Sequence, residues 1–385
     1  MHKNNQVPNQ NLLQQWIDGP ISDQPLEPGH GRGIFCLDIQ GDWLVTGSAD
    51  HGLREYNMFP QKKKKNQIFQ YIKKSSTNSY RRELYAKKYG HTEWVTSVKY
   101  LTDGRIISAG MDSQLCLWDR GAVKCDHIKG HEGSVTKVLI DENNICVSSS
   151  YDCTLYIWDL NTKQNAIRLF GPHKDAVLDF AWNNSLIVSG DKTGTIAFWD
   201  INTGTAIKSS KIHKGAVSQI LLYSDGSNHN YIVSAGLNDG AISFQDMRTN
   251  KVVNNTQIHH GAINALEQNL SGQIVTGSAD KSIKITDIQS GFKQLSTMKA
   301  TDMVYCLQTI YNLTLAGCGD GNILCFENDH GKSLYGFGAM SKGVVRSMKI
   351  NDKSTKYFFF FIIQQQFKRL VAIGDDFSPF VISYV

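Results

Sequence analysis

One short pattern recurs along the chain at regular intervals. The stretches SAGMDSQLCLWD, residues 108–119, and SSSYDCTLYIWD, residues 148–159, both place an aspartate six positions before a tryptophan. A histidine precedes each of these aspartates by 21 positions, and from His91 onwards the histidines follow one another at 40, 42, 40 and 46 residues. Self-similarity at such a period is typical of repeat architectures, in which each unit is one small supersecondary structure.

Each unit also contains short apolar runs separated by turn residues. In the third unit these are SVTKVLI, ICVSSS and TLYIWD, and a run such as AVKCDHIKGH, residues 122–131, precedes the next histidine. Runs of this length that are rich in β-branched and aromatic residues predict strands. Four strands in a unit of roughly 40–45 residues are typical of one propeller blade.

On these residues the chain resembles the WD40-repeat family, over residues 29–385. The resemblance implies an all-β fold, a closed β-propeller with four antiparallel strands per blade. It also implies a hydrogen-bonded tetrad of His, Ser or Thr, Asp and Trp within a blade. By position, the tetrads are His91, Ser108, Asp112 and Trp118 in the second unit and His131, Ser148, Asp152 and Trp158 in the third. Because the set recurs in unit after unit, we interpret it as structural and not as a catalytic triad.

Three other units depart from this pattern. The first unit has Tyr56 in place of the tryptophan. The fourth has Thr193 where the aspartate is expected, although Asp191 is close. The seventh has no histidine, and Ala316 replaces the Ser or Thr. We therefore expect these three blades to depend on packing instead of the tetrad.

Eight sets of three inner strands can be counted when the tail runs VVRSMKI, RLVAIGDD and FVISYV are included. Eight blades is the predicted number, and seven blades with an irregular appendage is the alternative. Because the sequence ends on a third strand, the missing outer strand must come from the start, near residues 15–22, which closes the ring and removes sheet edges. We predict a tail and closing strand at residues 1–28 and one propeller at 29–385, with a basic insertion at 58–82 and an irregular insertion at 351–368.

No candidate catalytic, cofactor or metal-binding motif is found in the sequence. HGKS, residues 330–333, lacks the first glycine of a phosphate-binding loop, and the chain has no GxSxG or HExxH motif. The eight cysteines form no CxxC pair, so we expect buried, reduced thiols. No stretch approaches the ~20 apolar residues that span a bilayer, and the first residues lack the apolar region of a signal peptide. We expect an intracellular protein that is not an enzyme and has no cofactor, metal, membrane or small-molecule substrate.

The first candidate partner-binding surface is a set of large side chains. At the third position after the repeat histidine, five units carry Gly, Ser or Ala, whereas the second unit carries Trp94. The residue before the turn aspartate is Met111 in the second unit and Tyr151 in the third. The resemblance places all three at the rim of one propeller face, and such side chains commonly anchor interfaces. We predict a protein-binding site there; the alternative is that Trp94 lies flat over its own blade.

The second candidate surface is the insertion between the first and second units. Residues 61–88 contain ten Lys or Arg and one acid, a net charge of +9, whereas the whole chain carries +5, so the remainder sums to −4. Such a run can bind an acidic protein or RNA. The candidate contacts are Lys62, Lys63, Lys64, Lys65, Lys73, Lys74, Arg81 and Arg82. A solvated loop and a nuclear localisation signal are the alternatives, and the outer strand of the first blade is expected around residues 84–88.

The tail unit is interrupted by KYFFFFIIQQQFK, residues 356–368. Three interpretations stay open: an apolar docking loop, a tolerated loop insertion, and an unspliced intron in the gene. An exposed run of this kind is an aggregation hazard, which argues against its being free in solution.

The resemblance implies that the molecule serves as a rigid platform for other proteins. We expect a scaffold or assembly subunit in the cytoplasm, with a cytoskeletal or ciliary complex among the candidates and the nucleus as an alternative location. The alternative function is a substrate receptor of a cullin-type ubiquitin ligase, because QDMR, residues 245–248, and WDRG, residues 118–121, partly match the Trp-Asp-x-Arg motif of such receptors. An RNA-binding assembly factor is a less favoured alternative.

Overall fold

The computed structural model describes residues 10–58, 80–85, 89–162, 167–183, 185–224, 230–341, 343–351 and 369–384. These residues form one short helix, α1 (Gln10–Asp18), and 32 strands. The strands make eight antiparallel sheets of four strands each. The predicted eight-bladed propeller is therefore confirmed, and the seven-blade alternative is wrong. A helix long and apolar enough to cross a membrane is not found among the described residues.

The first four blades follow the order of the chain from the inner to the outer strand. Blade I contains β2 (Ile34–Gln40), β3 (Trp43–Ser48), β4 (Leu53–Asn57) and β5 (Tyr80–Leu84). Blade II contains β6 (Val95–Tyr100), β7 (Ile106–Gly110), β8 (Leu115–Trp118) and β9 (Cys125–Ile128). Blade III contains β10 (Val135–Ile140), β11 (Ile145–Ser150), β12 (Leu155–Asp159) and β13 (Ile167–Leu169). Blade IV contains β14 (Val177–Asn183), β15 (Leu186–Asp191), β16 (Thr195–Asp200) and β17 (Thr205–Lys211).

Three further blades repeat this order and the last one departs from it. Blade V contains β18 (Val217–Ser224), β19 (Asn230–Gly236), β20 (Ala241–Asp246) and β21 (Val252–Gln257). Blade VI contains β22 (Ile263–Gln268), β23 (Ile274–Ser278), β24 (Ser282–Asp287) and β25 (Lys293–Lys299). Blade VII contains β26 (Val304–Ile310), β27 (Leu313–Cys318), β28 (Asn322–Glu327) and β29 (Lys332–Gly338). Blade VIII contains β30 (Val345–Asn351), β31 (Arg369–Gly374), β32 (Phe380–Ser383) and, from the start of the chain, β1 (Ser22–Pro25).

The closing strand lies a few residues after the stretch that the sequence analysis assigned to it. Ser22 pairs with Ser383 and Pro25 with Phe380, so β1 completes blade VIII. Most of residues 15–22 instead belong to the end of α1 and the turn that follows it. Trp16 of this helix stacks on Tyr384 with ring centroids 3.7 Å apart. The helix is favoured there because Trp16 buries its apolar ring on blade VIII, a contact that a solvent-exposed outer strand does not offer.

The burial of each strand follows its place in the blade. The second strands, such as β7 and β11, are almost entirely buried because both of their faces pack against neighbouring blades. The outer strands β17 and β21 are mostly exposed. Between blades I and II, for example, Leu53 and Leu84 pack with Val98 and Trp118. The apolar core therefore lies between the blades, and it is repeated around the ring.

The top end of the ring is shaped by the loops that meet there and by a bulge in every inner strand. Because the strands are antiparallel, the loops before the first strand and between the second and third strands of every blade share one end, here called the top face. In all eight blades the pairing of the first two strands shifts register after the first residue of the inner strand. Such a β-bulge leaves one residue unpaired and turns its side chain away from the regular pleat. Every blade therefore presents one bulge residue near its top end.

Candidate functional site

The structure brings the four predicted side chains of blade II into one hydrogen-bonded chain. Trp118 Nε1 donates to Ser108 Oγ over 2.9 Å, and Ser108 Oγ lies 2.8 Å from His91 Nε2. The other ring nitrogen, His91 Nδ1, lies 3.0 Å from Asp112 Oδ1. A consistent assignment has the serine hydroxyl donating to Nε2 and the Nδ1–H donating to the carboxylate. The network therefore joins the loop before β6, which carries His91, to the turn after β7, which carries Asp112.

Blade III repeats this arrangement with nearly the same distances. His131 Nδ1 lies 2.8 Å from Asp152 Oδ2, and His131 Nε2 lies 2.8 Å from Ser148 Oγ. Trp158 Nε1 donates to the same serine oxygen over 2.8 Å. Asp152 also accepts the backbone N–H groups of Glu132 and Thr154. The carboxylate thus holds both the loop before β10 and the turn after β11, which indicates a structural role.

The geometry does not suit nucleophilic catalysis. Ser108 and Ser148 are fully buried, and each hydroxyl is already shared between a tryptophan and a histidine. A serine nucleophile needs an exposed oxygen that a substrate carbonyl can approach.

Blade IV contains a complete tetrad, contrary to the expectation from sequence. His173 Nδ1 lies 3.0 Å from Asp191 Oδ2, and Trp199 Nε1 donates to Ser189 over 2.7 Å. Thr193 does not replace the aspartate; its hydroxyl donates to Asp191 over 2.7 Å. Burial acts to raise the pKa of Asp191, but hydrogen bonds from His173 and Thr193 outweigh it and lower the pKa to about 2. The serine and the tryptophan are ten residues apart in this blade, as they are in blades II and III. Asp191 therefore stands two residues earlier within a connection that is no longer than the others, so the fixed spacing pointed to the wrong residue.

Blade I also keeps most of the network that was expected to be missing. His30 Nδ1 lies 3.0 Å from Asp50 Oδ2, and its Nε2 lies 2.8 Å from Thr46 Oγ1. Tyr56 takes the place of the indole and donates its hydroxyl to the carbonyl of Pro28 over 2.8 Å. Blade I therefore does not depend on packing alone.

Blades V and VI keep the histidine and the aspartate but lose the tryptophan. His213 contacts Asp239, and His259 contacts Asp280. Burial lowers the pKa of both histidines, against the opposing effect of their aspartates. The tryptophan position holds Gln245 in blade V and Thr286 in blade VI.

Beside Thr286 lies a groove of about 440 Å³ between blades V and VI. Phe244 of blade V and Gln294 of blade VI contribute to its walls. In blade II the tryptophan faces the preceding blade, so the groove occupies the space that an indole fills elsewhere.

In blade VII, Ala316 and Phe326 are buried in apolar surroundings without the serine–tryptophan bond. The expectation that this blade depends on packing agrees with those contacts.

The three side chains predicted to bind a partner lie next to one another at the top face. The Met111 N–H donates to the Trp94 carbonyl over 2.9 Å, and Ser134 Oγ donates to the Met111 carbonyl over 3.0 Å. The Tyr151 N–H in turn donates to the Ser134 carbonyl over 2.9 Å. The side chains are 37% exposed for Trp94, 42% for Met111 and 54% for Tyr151. Direct hydrogen bonds therefore fix the spacing of the three exposed groups across blades II and III.

Two residues that the sequence analysis missed extend this surface to blades I and VIII. The Trp94 ring stacks on Phe35 with centroids 5.2 Å apart, so it does not lie flat over its own blade. The guanidinium of Arg346 lies 4.6 Å from the Phe35 centroid, where a cation–π contact forms. Asp375 accepts a hydrogen bond from Arg346 Nε over 2.7 Å. Phe35 and Arg346 are the bulge residues of their blades, and most other blades carry a small or polar residue there.

The basic insertion is mostly outside the described residues. Lys62, Lys63, Lys64, Lys65, Lys73 and Lys74 lie outside the described ranges, as does the run at 356–368. Arg81 belongs to β5, the outer strand of blade I, which spans Tyr80–Leu84 and not residues 84–88 as expected.

Arg82 is not part of an exposed basic surface. Its side chain is buried, its Nε donates to Glu55 Oε2 over 2.7 Å, and its Nη1 donates to the carbonyls of Asp119 and Ala122. Arg82 therefore joins blade I to the turn after β8. The alternating pattern of a strand offers a reason to expect one buried side chain in a basic run, because alternate residues face inward.

Comparison with known proteins is consistent with the geometry. The family model described as WD domain, G-beta repeat, matches residues 24–57, 82–119, 123–159, 164–200 and 251–287. The CCR4-associated factor 4 homolog of Candida glabrata is 28% identical over 132 residues, which cover 31% of this chain and 23% of that protein. The guanine nucleotide-binding protein subunit beta of Oryza sativa subsp. indica is 26% identical over 236 residues, which cover 54% of this chain and 56% of that protein. The chain thus spans less than two thirds of either relative.

A solved structure shares the architecture over nearly the whole chain. The crystal structure of the computationally designed Ika8 protein superimposes with a TM-score of 0.73 at 22% identity, covering 93% of this chain and 98% of that one. At this identity the likeness shows the fold alone.

Proposed function

We propose that this chain, which belongs to the WD40-repeat family of β-propellers, is a scaffold that binds a protein partner through its top face. Propellers of this family generally serve as platforms for protein interaction and not as enzymes. One relative is named as a subunit, the guanine nucleotide-binding protein subunit beta, which supports a role within an assembly. The observation that carries the proposal is the continuous surface formed by Arg346, Phe35, Trp94, Met111 and Tyr151.

This surface has the composition of an interface core. Aromatic, Met and Arg side chains are enriched at the centres of protein interfaces, and truncating a few of them removes most of the binding energy. The surface spans four consecutive blades, VIII, I, II and III, whereas Ala176, Ala216 and Ala262 stand at the position of Trp94 in blades IV, V and VI. Blades IV, V and VI therefore carry only small residues at this position, which favours a partner that binds off the central axis.

The surface is also held in place before any partner binds. Trp94 is fixed by its stacking on Phe35, and Arg346 is fixed by both the Phe35 ring and Asp375. Ordering side chains on binding costs roughly 0.5–1.5 kcal/mol for each flexible group. Because Trp94 and Arg346 are already held in place, a partner that binds them avoids much of this entropic cost. We infer that the partner inserts an apolar side chain beside Trp94 and Met111.

The other candidate functions have weaker support. For a cullin-type receptor, the motif residue Gln245 is buried and Arg248 is exposed, so only part of the motif is available to a partner. RNA binding rests on the lysines of the basic insertion, which lie outside the described residues. An acidic partner at that insertion, a cytoskeletal or ciliary assembly, and a cytoplasmic or nuclear location stay predictions.

The test is an affinity purification with a matched control. We would compare the wild type with a variant that combines Trp94→Ala, Met111→Ala and Tyr151→Ala. The control combines Ile207→Ala, Val253→Ala and Leu295→Ala, which removes apolar side chains that are 54%, 49% and 47% exposed on outer strands of blades IV, V and VI. Both variants should fold, as judged by circular dichroism and thermal melting.

We expect the top-face variant to lose at least one co-purifying protein that the wild type and the control retain. Titration of that protein, once purified, should show an affinity at least about tenfold weaker for the variant, because each large anchor typically contributes over 1 kcal/mol. Retention of every partner by the top-face variant would show that these side chains only pack against their neighbours.

A further inference from the structure

Two cysteines and a histidine meet on one face of blade II. Cys116 lies on β8 directly opposite His127 on β9, and Trp118 lies opposite Cys125. Because alternate residues of a strand face the same side, these four side chains share one face of the sheet. Cys116 Sγ lies 3.6 Å from His127 Nδ1, and Cys125 Sγ lies 3.8 Å from His127 Nε2. The donor atoms of all three residues lie within 4.8 Å of one another.

No comparable set occupies this position in the other blades of the described chain. The residue pairs that correspond to Cys116 and His127 are Arg54 and Glu83, Tyr156 and Arg168, Ala197 and Ser209, Ser243 and Asn255, Lys284 and Thr297, Leu324 and Gly336, and Phe380 and Pro25. The cluster is therefore not a requirement of the blade fold. The cluster has no CxxC spacing that would mark it in the sequence, because strand pairing brings together residues nine and eleven positions apart.

We propose that Cys116, Cys125 and His127 bind a thiophilic metal ion, Zn²⁺ or Cu⁺. Two thiolates and one imidazole are ligands that both ions favour. A tetrahedral ion with bonds of about 2.3 Å to sulfur and about 2.0 Å to nitrogen holds those two atoms about 3.6 Å apart. The 3.6 Å between Cys116 Sγ and His127 Nδ1 is close to this value. Cys125 Sγ lies nearest the other ring nitrogen, and one ligand atom from each of the three residues still lies within 4.8 Å of the others, which is the spread that a single ion has to draw together.

The surroundings suit a bound ion that retains one open position. Cys116 and Cys125 are buried among apolar residues of blades I and II, including Leu84 and Val98. His127 is exposed, so it offers a path from solvent to the two sulfurs. Three protein ligands leave the fourth coordination position of a tetrahedral Zn²⁺ ion for water. Cu⁺ can be bound by three ligands alone. The ion would link β9, the outer strand of blade II, to β8.

The experiment uses the full chain, reduced with a phosphine and freed of metal, with Co²⁺ as a spectroscopic probe for Zn²⁺. The expected result is one Co²⁺ per chain, a thiolate-to-cobalt charge-transfer band, and loss of that band when one equivalent of Zn²⁺ is added. A parallel arm measures Cu⁺ retention against a chromogenic Cu⁺ chelator. Binding in the first arm identifies a Zn²⁺-type site, and binding in the second arm alone identifies a Cu⁺ site.

Matched variants show whether these residues are the ligands. Cys125→Ala should remove the charge-transfer band and the Cu⁺ retention, whereas Cys325→Ala, which removes another buried thiol, should retain both. His127→Ala should weaken binding at least tenfold, and His330→Ala, at an exposed histidine elsewhere, should not change it. His127 is exposed, so its variant is expected to fold even if a cysteine variant does not.

Two results would overturn the proposal. One is the absence of both the cobalt band and Cu⁺ retention in the wild type. The other is binding that survives unchanged in His127→Ala and Cys125→Ala. A rise of the thermal midpoint on adding one equivalent of metal, seen in the wild type and absent in His127→Ala, provides a second and independent readout.

Discussion

Blades III and VI share one design but differ in a single large side chain. In blade III, Trp158 fills the space toward the preceding blade and donates its N–H to Ser148. In blade VI, Thr286 stands at that position, its Oγ1 is buried without a hydrogen-bond partner, and a groove of about 440 Å³ opens beside it. Yet His259 of blade VI still contacts both Asp280 and Thr276.

This difference shows that the histidine–aspartate pair and the tryptophan have separate structural roles within the tetrad. The histidine–aspartate half orders the loops at the top face, and it persists in six of the described blades, at His30, His91, His131, His173, His213 and His259. The indole fills the space between blades, and other side chains replace it in five of the eight blades. The comparison therefore predicts large effects where an indole is removed and small effects where it is already absent.

The largest effect is expected for Trp158→Ala in blade III. The change removes a buried aromatic ring and leaves Ser148 without its indole donor. Truncating a buried aromatic typically lowers the free energy of unfolding by about 3–5 kcal/mol. Urea titration followed by circular dichroism measures this loss. A loss below about 1 kcal/mol would contradict the space-filling role, since exposed side chains generally contribute no more than that.

An intermediate effect is expected for Asp191→Ala in blade IV. Asp191 accepts hydrogen bonds from His173 and from the N–H groups of Thr193 and Thr195, so its removal leaves several buried donors without an acceptor. We expect a loss of about 2–3 kcal/mol in the free energy of unfolding. Thr193→Ala is the matched control and should lose less than about 1 kcal/mol, because only a hydroxyl is removed.

The effect of Asp191→Ala on the free energy of unfolding should also depend on pH. The pKa of Asp191 is lowered to about 2 in the folded protein, below its ordinary value near 3.8. Its stabilising contribution is therefore present above pH 3.8 and is lost as the pH falls through 2. The difference between wild type and Asp191→Ala should narrow over that range. A difference that stays constant would mean that Asp191 does not keep its low pKa.

The smallest effect is expected for Thr286→Val in blade VI. The substitution replaces a buried hydroxyl that has no partner by a methyl group of similar size, so the free energy of unfolding should stay level or rise by up to about 1 kcal/mol. Thr276→Val in the same blade is the control. It removes a hydroxyl that bonds His259 Nε2 over 2.9 Å and should destabilise the protein by about 1–3 kcal/mol. Equal losses for the two variants would show that the two hydroxyls are equivalent.

The repeat could be predicted from sequence because its period and its apolar runs are local features. Eight blades followed from counting strand triplets, and complete tetrads were assigned where the spacing was regular. Asp191 was misassigned because it lies two residues earlier, at the end of β15, although the spacing from serine to tryptophan is unchanged. A search at one fixed distance from the tryptophan does not find an aspartate that has moved along the turn. The closing strand was placed too early because α1 gains more apolar contact at Trp16 than an outer strand would.

Contacts between blades were the least accessible from sequence. Phe35 and Trp94 are far apart in the chain, and only the ring geometry stacks them. The series of bulge residues held only a weak signal. Phe35 and Arg346 are large where Thr96, Thr136 and Ser218 are small, but Leu178 and Tyr305 are also large at this position. Arg82 looked like one more charge in a basic run, and its burial depends on Glu55 and on a turn of the next blade.

The closure of blade VIII sets the order in which the molecule can fold. Ser378 Oγ donates to Glu27 Oε1, although the two residues are 351 positions apart, and Tyr335 donates to the carbonyl of Trp16 across 319 positions. Blades I to VII each form from neighbouring strands, so they can assemble while the chain is still being synthesised. The last sheet must wait for β32, and contacts between such distant residues form slowly. Until then β1 has no partner strand in its own chain, so its edge is open to pairing with another molecule.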